Sequence, residues 1–497
     1  MFYVRTTKTA SESTAVQIVR YENRRKIIVS HIGSAHNQDE LFALKQIAAE
    51  RIAQTSKQRT LFSGNSSTSK LAYLNKCEYL GFRYGLMQEV INNIFVRFKF
   101  HFLRNKLLTD LVAARIVEPS SKLQSLKFLA DFFGVTHKHR ELYRQLPKFS
   151  ALKTQVEVKT PAIAKKEFNF TFALVFYDVT TLYFESFEPD DLRKHGFSKD
   201  NKPNQPQILV GLLVNNDGFP VAYHIFEGNK FEGHTLLPVI LAFKRKHKIN
   251  TITVVADAAM ISVENTKLLR ENSIKYIVGA RIGNLPLRIE QIISAKLRKQ
   301  DGATARLSTE YGALVCGFSE KRHRKDKREM ELQIKKAEWF LKNRPAAKRP
   351  KFLRTADKTK YALNAELIEK TKSLLGVKGY YTNLGPEISD ELIIRQYHNL
   401  WRVEQAFRIA KSDLQMRPIY HFKKYAVEAH MLICFMALAV CKYMEIKTGK
   451  STKAIVRILK SATDARILNT INREEITMRS VITEETKQFL NRLGLRY

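Results

Sequence analysis

The chain has 497 residues, 44% of them hydrophobic, which is length for about three domains and enough apolar material for a sizeable core, so wholesale disorder is excluded. Lys and Arg number 84 against 48 Asp and Glu, a formal net charge of +36. A chain that basic repels itself when compact, and a polyanion relieves the cost; nucleic acid is the partner this points to, with a basic protein of a translation-like assembly or a plain compositional bias as the alternatives.

The first twenty residues lack the apolar run of a signal peptide. Cys77, Cys316, Cys434 and Cys441 are scattered without CxxC pairing, which fits neither a disulfide framework nor a zinc site and suits a reducing compartment. The longest apolar stretch, Met431 to Val440, is too short to span a bilayer and reads as a buried helix. A soluble cytoplasmic protein without membrane contact is expected.

Residues 14–33 (TAVQIVRYENRRKIIVSHIG) read as a β-hairpin, two β-branched runs joined at Glu22-Asn23-Arg24-Arg25. From Asp39 to residue 134 apolar residues recur at helical spacing, as in ELFALKQIAAERIA and FLRNKLLTDLVAARIV. Ser120-Ser121 follow Pro119 and would cap KLQSLKFLADFF, which Gly134 ends. Residues 1–150 are therefore a hairpin plus a helical region rich in Lys and Arg, either DNA-binding or a solvated helical domain. Residues 137–170 read as basic and connective.

The pattern changes at Phe170. FALVFYDVTTLYF is a continuous apolar and β-branched run broken by one acid, Asp178; QILVGLLV, a turn at Asn215-Asn216-Asp217-Gly218 and FPVAYHIFEG make two further strands. A helix (TLLPVILAFKRKHK), a strand ending at Asp257 (TITVVADAAM), a helix (SVENTKLLRENS) and a fifth strand (KYIVGARI) follow. A three-strand meander followed by alternating helix and strand is the element order of an RNase H-like core, here assigned to 165–282 and 379–446. Fold alone does not give function.

Residues 283–378 interrupt the series as a basic insertion, partly β. They carry the charge run from Lys321 to Arg328 and the segment NRPAAKRPK, read either as a solvated face or as a surface that tracks phosphates. GYYTNL is then a strand, and a long helix begins at Asp390 behind the N-cap Ser389. Residues 447–497 complete the chain as a helical region.

A carboxylate inside LVFYDVTTLYF is costly to bury uncompensated. A metal ion is one compensation; a hydrogen bond or salt bridge is the other. Asp257 repeats the situation at the end of a second apolar strand, which favours the metal. In YHNLWRVEQAFRIAKSDL, Tyr397, Glu404 and Lys411 are seven residues apart and share a helical stripe, with Arg408 one turn beyond the glutamate. They form either a site for a metal and the phosphates beside it or ordinary surface ion pairs. Trp401 reads as core, and His224, His234 and His398 as structural neighbours. Three acids suit phosphodiester chemistry, because two Mg²⁺ ions about 3.5–4 Å apart stabilise both the attacking and the leaving oxygen, and Mg²⁺ keeps several waters and needs few carboxylates. There is no GxxxxGK[ST] loop for an NTP-driven motor.

Several segments resemble those of DDE (Asp-Asp-Glu) insertion-sequence transposases, specifically the IS-four-type superfamily with an insertion before the catalytic glutamate. YDVTTLYFES resembles the first-aspartate motif and GFSKDNKPNQPQILVGLLVNNDGFPVAYHIFEGN the stretch after it. VVADAAMIS resembles the second-aspartate motif, and YHNLWRVEQAFRIAKSDLQMRPIYHF the glutamate helix with its tail. GHTLLPVI and EAHMLICFMALAV also fit. The likeness covers roughly residues 165–445 and, more weakly, the N-terminal third.

The resemblance implies a cut-and-paste recombinase. It would cleave double-stranded DNA at terminal inverted repeats with Mg²⁺, for which Mn²⁺ can substitute, at two ions per site, and join the freed end to target DNA. Asp178, Asp257 and Glu404 would bind metal and catalyse; Tyr397 and Lys411 would hold the terminal phosphate. The family's arginine, four residues before the glutamate, falls on Leu400, so Arg402 or Arg408 would take that contact. A homodimer in the synaptic complex, in the cytoplasm of a bacterium, is likewise implied. The alternatives are an inactive or repurposed DNA-binding descendant and a host RNase H-like nuclease.

Overall fold

The computed structural model describes residues 2–22, 25–55, 77–198, 201–260, 262–343, 349–357, 360–470 and 473–496. The chain divides into two compact units. The smaller comprises Met1–Val90, Phe128–Thr136 and Arg457–Tyr497; the larger comprises Ile91–Lys127 and His137–Val456. The helical stretch expected to belong with the N-terminal region is thus shared between units, and the C-terminal segment joins the N-terminal one.

The chain opens with β1 (Phe2–Lys8), β2 (Thr14–Glu22) and β3 (Arg25–Ala35), an antiparallel sheet in that order. The expected hairpin is β2–β3, paired through Glu22↔Arg25, with residues 23 and 24 of its turn outside the described residues. β1 was not foreseen, because FYVRTTK buries none of its residues fully and so lacks the alternation that marks a strand. Helix α1 (Gln38–Thr55) covers the sheet, packing Leu44 and Ala48 on Val16, Ile18 and Ile32. Next come β4 (Cys77–Arg83), α2 (Gly85–Arg97), α3 (Lys106–Val117) and α4 (Lys122–Phe128). Asn105 caps α3 by accepting from the Leu108 amide at 3.0 Å, and Ser121 accepts from Gln124 at 3.2 Å. A π-turn over Leu129–Phe133 ends at Gly134, whose φ of 67° is the left-handed conformation a helix stop requires.

Residues 137–170 are two helices, α5 (His139–Phe149) and α6 (Lys153–Phe168), not a connection. Pro147 and Pro161 lie inside them and read as breaks in sequence. The stripe Leu142, Leu146 and Phe149, buried at helical spacing, outweighs the proline.

The larger unit is organised by a sheet built from β5 (Leu174–Tyr183), β6 (Gln207–Val214), β7 (Pro220–Glu227), α7 (Leu236–His247), β8 (Ile252–Ala256), α8 (Val263–Glu271) and β9 (Ile274–Ala280) in the expected order. The chain continues through α9 (Leu287–Leu297), β10 (Thr304–Thr309), β11 (Gly312–Phe318), α10 (Glu320–Asn343), β12 (Leu353–Asp357), β13 (Lys360–Leu363), α11 (Ala365–Ser373) and β14 (Val377–Thr382). Eight strands form one mixed sheet, ordered β10-β11-β14-β9-β8-β5-β6-β7. The β5–β8 and β8–β9 pairs are parallel and the rest antiparallel. β10 and β11, from the expected insertion, extend this sheet through β14. The charge run lies on α10, an exposed 24-residue helix whose Met330, Ala337 and Phe340 pack on Phe352, Leu353 and Leu375. Of NRPAAKRPK, residues 344–348 lie outside the described residues.

After β14 come α12 (Asp390–His398), α13 (Trp401–Arg408), α14 (Lys424–Thr448), α15 (Thr452–Lys460), β15 (Asp464–Asn469), β16 (Glu475–Arg479) and α16 (Glu484–Arg492). α14 is long and apolar enough to cross a membrane by length and composition, but 89% of its apolar window is buried inside the protein. The C-terminal region is not all helical: β15 pairs with β16 and with β4, strands about 380 residues apart in sequence that no local pattern connects. Arg479 holds this corner by donating to both Asp464 and Glu89 at 2.7 Å.

Candidate active site

β5 and β8 run parallel and in register, with Val175↔Val254, Phe176↔Val255 and Tyr177↔Ala256 as Cα partners. Asp178 follows Tyr177 and Asp257 follows Ala256, so the ladder carries both carboxylates to the same level of neighbouring strands. Val175, Phe176 and Tyr177 are buried, as are Val254, Val255 and Ala256, which pins the register, because a one-residue slip would expose the whole apolar set. Tyr177 locks the pair further: its hydroxyl donates to Thr235 at 2.8 Å, and it fits only because Gly211 opposite has no Cβ, which would lie 2.4 Å from that oxygen. Asp178 is half-buried and its Oδ1 accepts from the Val179 amide at 2.7 Å; Asp257 is exposed just past its strand.

The expected single long helix at Asp390 is two helices. Ser389 caps α12 by accepting from the Leu392 amide. At the junction the amides of Asn399, Leu400, Arg402 and Val403 each bond three residues back, a 3₁₀ tightening, and α13 ends in a π-turn over Ile409–Asp413. The seven-residue stripe is therefore not one straight line. Tyr397 is buried and donates its hydroxyl to Asp257 Oδ1 at 3.3 Å. It reaches that carboxylate over Gly279 of β9, where a Cβ would lie 2.5 Å from its oxygen. Burial, with Asp257 and Glu404 nearby, pushes the phenol well above its usual range, so it stays a donor. Glu404 is exposed on α13, which packs on β5 and β6. Asp257 and Glu404 act on the same two neighbours, Tyr397 and Lys378.

The cations of the predicted set are less convergent. Arg408 is exposed and Lys411 half-buried on the π-turn. Arg402 faces Asp217 at 3.7 Å, at the β6–β7 turn. Leu400 is buried at 5% exposure and joins Val403 and Phe407 in the core. Trp401, expected in the core, is 51% exposed, because the tightened junction turns it outward while its neighbours bury. Of the three histidines, His398 reaches the site's edge, 3.3 Å from the Tyr380 hydroxyl; His224 and His234 are exposed. Lys244 and Lys246, at the end of α7, bond the Asn272 carbonyl and Glu157.

Lys378 is the residue the sequence reading missed. It sits on β14 with its ammonium 4.8 Å from the centre of the Tyr397 ring and 5.8 Å from that of Tyr380. A lone cation in the apolar strand GVKGYYTNL is the same signal that drew attention to Asp178.

Among the described residues no three side chains of ligand type lie close enough together to form a metal cage. The donors present are nonetheless carboxylate oxygens, two of them on register-matched strands and two of the three acids exposed, which suits a hard cation that keeps its waters and takes one or two carboxylates.

Residues 173–440 match the family described as Transposase DDE domain, a span that contains Asp178, Asp257, Glu404 and every strand from β5 to β14. No curated protein matches. Among solved structures, the chain resembles a piggyBac transposase, determined by cryo-electron microscopy as a synaptic complex with hairpin DNA, at 8% identity and a TM-score of 0.37, over 73% of this chain and 78% of that one.

Proposed function

The chain belongs to the Transposase DDE domain family, and from that premise we propose that it cuts its own element from double-stranded DNA at terminal inverted repeats and joins it to target DNA. The observation that carries this reading is the β5–β8 register, which sets Asp178 beside Asp257 with Tyr397 bonded to the second acid. Sheet order and the parallel β5–β8–β9 core support an RNase H-like fold, and the quoted motifs support the IS-four-type branch.

Asp178, Asp257 and Glu404 would hold Mg²⁺ or Mn²⁺, two ions per site. Bound there, such ions supply charge stabilisation to the attacking and leaving oxygens of the phosphodiester. The chain's own contribution is placement. The strand ladder fixes two acids before any ligand arrives, so no ordering cost falls on them during the reaction. Tyr397, kept protonated by burial, orients the Asp257 carboxylate through its hydrogen bond. Arg408 and Lys411 hold phosphates of the element end. Arg402, engaged by Asp217, is the weaker candidate for the contact that Leu400 cannot make. The net charge of +36 supplies sequence-independent affinity. A homodimer that pairs two ends, in the bacterial cytoplasm, completes the proposal.

The test is cleavage of DNA carrying the gene's flanking repeats, with Mg²⁺, by the wild type and by Asp178→Asn and Glu404→Gln. Cleavage at the repeat by the wild type alone supports the proposal. Tight binding without cleavage by any variant supports the second reading, a DNA-binding descendant that no longer cuts. Binding that does not weaken as salt rises would remove the basic surface from the account.

A further inference from the structure

A cavity of about 650 Å³ is lined by Lys378 together with Arg322, Lys325 and Arg395, with Tyr380 and Ile394 among its apolar surfaces and Glu391 as its acid. Gly317 makes room for it: a Cβ there would lie 2.8 Å from the Ile394 side chain, which would have to move into the space. Arg322 and Lys325 are exposed on α10, where their acidic partners are the i,i+4 residues Asp326 at 3.3 Å and Glu329 at 3.8 Å. Exposed pairs of that kind are weak, so both cations remain available to a stronger anion.

Lys378 belongs to both places. Its ammonium rests on the ring of Tyr397, the residue bonded to Asp257, and it lines the cavity. Among the described residues its ammonium makes no hydrogen bond or ion pair. A half-buried ammonium has three donors to satisfy, and two aromatic faces satisfy none of them by direct hydrogen bonding to oxygen. The groups acting on it are Arg322, Asp257 and Glu404, one cation from the cavity side and two acids from the other.

We infer that Lys378 is a phosphate-contacting residue of this site, donating to a DNA phosphate where the strand leaves the acids and enters the cavity, whose remaining cations take the phosphates beyond. The inference rests on the transposase reading for its substrate. The aromatic rings hold the ammonium in place without consuming its donors, so the contact is ready before DNA binds. A basic channel with aromatic surfaces is also the arrangement that tracks a single strand irrespective of sequence.

The experiment uses the full chain and DNA carrying the gene's own flanking repeats. Binding is measured over a salt series without divalent ions, and Mn²⁺ affinity is measured on the protein without DNA. For Lys378→Met the slope of log affinity against log salt should shrink by about 0.9, the value of one phosphate contact. Cleavage should fall by at least tenfold, and Lys378→Arg should restore the slope. Arg322→Gln, at an exposed position that does not threaten folding, should shrink the slope similarly. Mn²⁺ affinity should hold or rise in Lys378→Met, one cation having left the neighbourhood of two acids. An unchanged slope in Lys378→Met overturns the proposal, and so does Mn²⁺ binding weakened as in Asp257→Asn, since the lysine would then act only on the acids. If Asp257→Asn cleaves like wild type, the transposase reading fails instead, a result the salt slopes do not share.

Discussion

Two clusters of like charge lie in the larger unit, and the fold treats them in opposite ways. Asp257, just past the end of β8, and Glu404 of α13 stand exposed, and Asp178 is half-buried within β5, the strand paired with β8. Arg115 and Lys122, from α3 and α4, are buried at 6% and 5% exposure together with His430 and Cys434 of α14 and the intervening His421. In the second cluster protons are lost rather than charges kept. Burial and the nearby Arg115 lower Lys122 from 10.5 to about 7. Burial, Lys122 and Arg115 hold His421 down at about 3, and His430 lies well below its usual value for the same reasons. Lys122 then hydrogen-bonds the His421 ring, His430 bonds the Met416 carbonyl at 3.0 Å, and the other His430 ring nitrogen has no partner among the described residues. The lesson is that exposure lets a charged cluster wait for a counter-ion, whereas burial makes it surrender charge and costs stability.

The sharpest way to break this comparison is Asp257→Asn. Metal-borne charge stabilisation is worth several kcal/mol, so cleavage should drop by about a thousandfold or more. Urea unfolding should show equal or slightly higher stability, because a repulsive charge has gone. A large stability loss would mean that the carboxylate is structural and the comparison false.

Gly279→Val tests whether the acid end depends on backbone shape. The new side chain meets the Tyr397 hydroxyl, and overpacking of this kind costs about 1–3 kcal/mol. Cleavage should fall by about fivefold or more if Tyr397 leaves Asp257, the scale of losing one hydrogen bond. Wild-type cleavage in a folded Gly279→Val would detach Tyr397 from the site. Tyr397→Phe is the milder probe. It removes one hydrogen bond, worth about 1 kcal/mol, and should slow cleavage by about fivefold with little change in the urea midpoint.

Lys122→Met should leave cleavage untouched and raise stability. Between about pH 7 and 10.5 the unfolded chain binds a proton at Lys122 that the folded chain does not, so its contribution to stability rises with pH across that window and is least favourable below it. At about 1.4 kcal/mol per pKa unit the gain on removing it is a few kcal/mol near neutral pH, shrinking toward pH 10. Urea titrations of both proteins at pH 6.5 and pH 9.5 should converge at the higher pH. Parallel curves would show that Lys122 keeps an ordinary proton affinity.

Much of this was legible in sequence. The strands from Leu174 to Ala280 announce themselves because both faces of each are buried, which writes continuous apolar runs, and an acid in or at the end of such a run stands out against its neighbours. The caps at Ser121 and Ser389 and the stop at Gly134 are local chemistry and need no tertiary partner to be read. Asp178 and Asp257 drew attention as candidates in that way, and Glu404 through its seven-residue spacing from Tyr397 and Lys411.

Tertiary structure alone decided the rest. That β4 pairs with β15, that β10 and β11 join the main sheet, and that α5 and α6 are helices despite their prolines all follow from contacts between distant segments, which override local preference. Whether Tyr397 reaches Asp257 depends on the missing Cβ of Gly279, 118 residues earlier, and whether Trp401 is inside or out depends on one 3₁₀ turn. Sequence fixes which residues carry charge, because composition and alternation are properties of neighbours along the chain. Which charges meet, and which of them lose their protons, depends on burial and on proximity through space, and those exist only once the chain has folded.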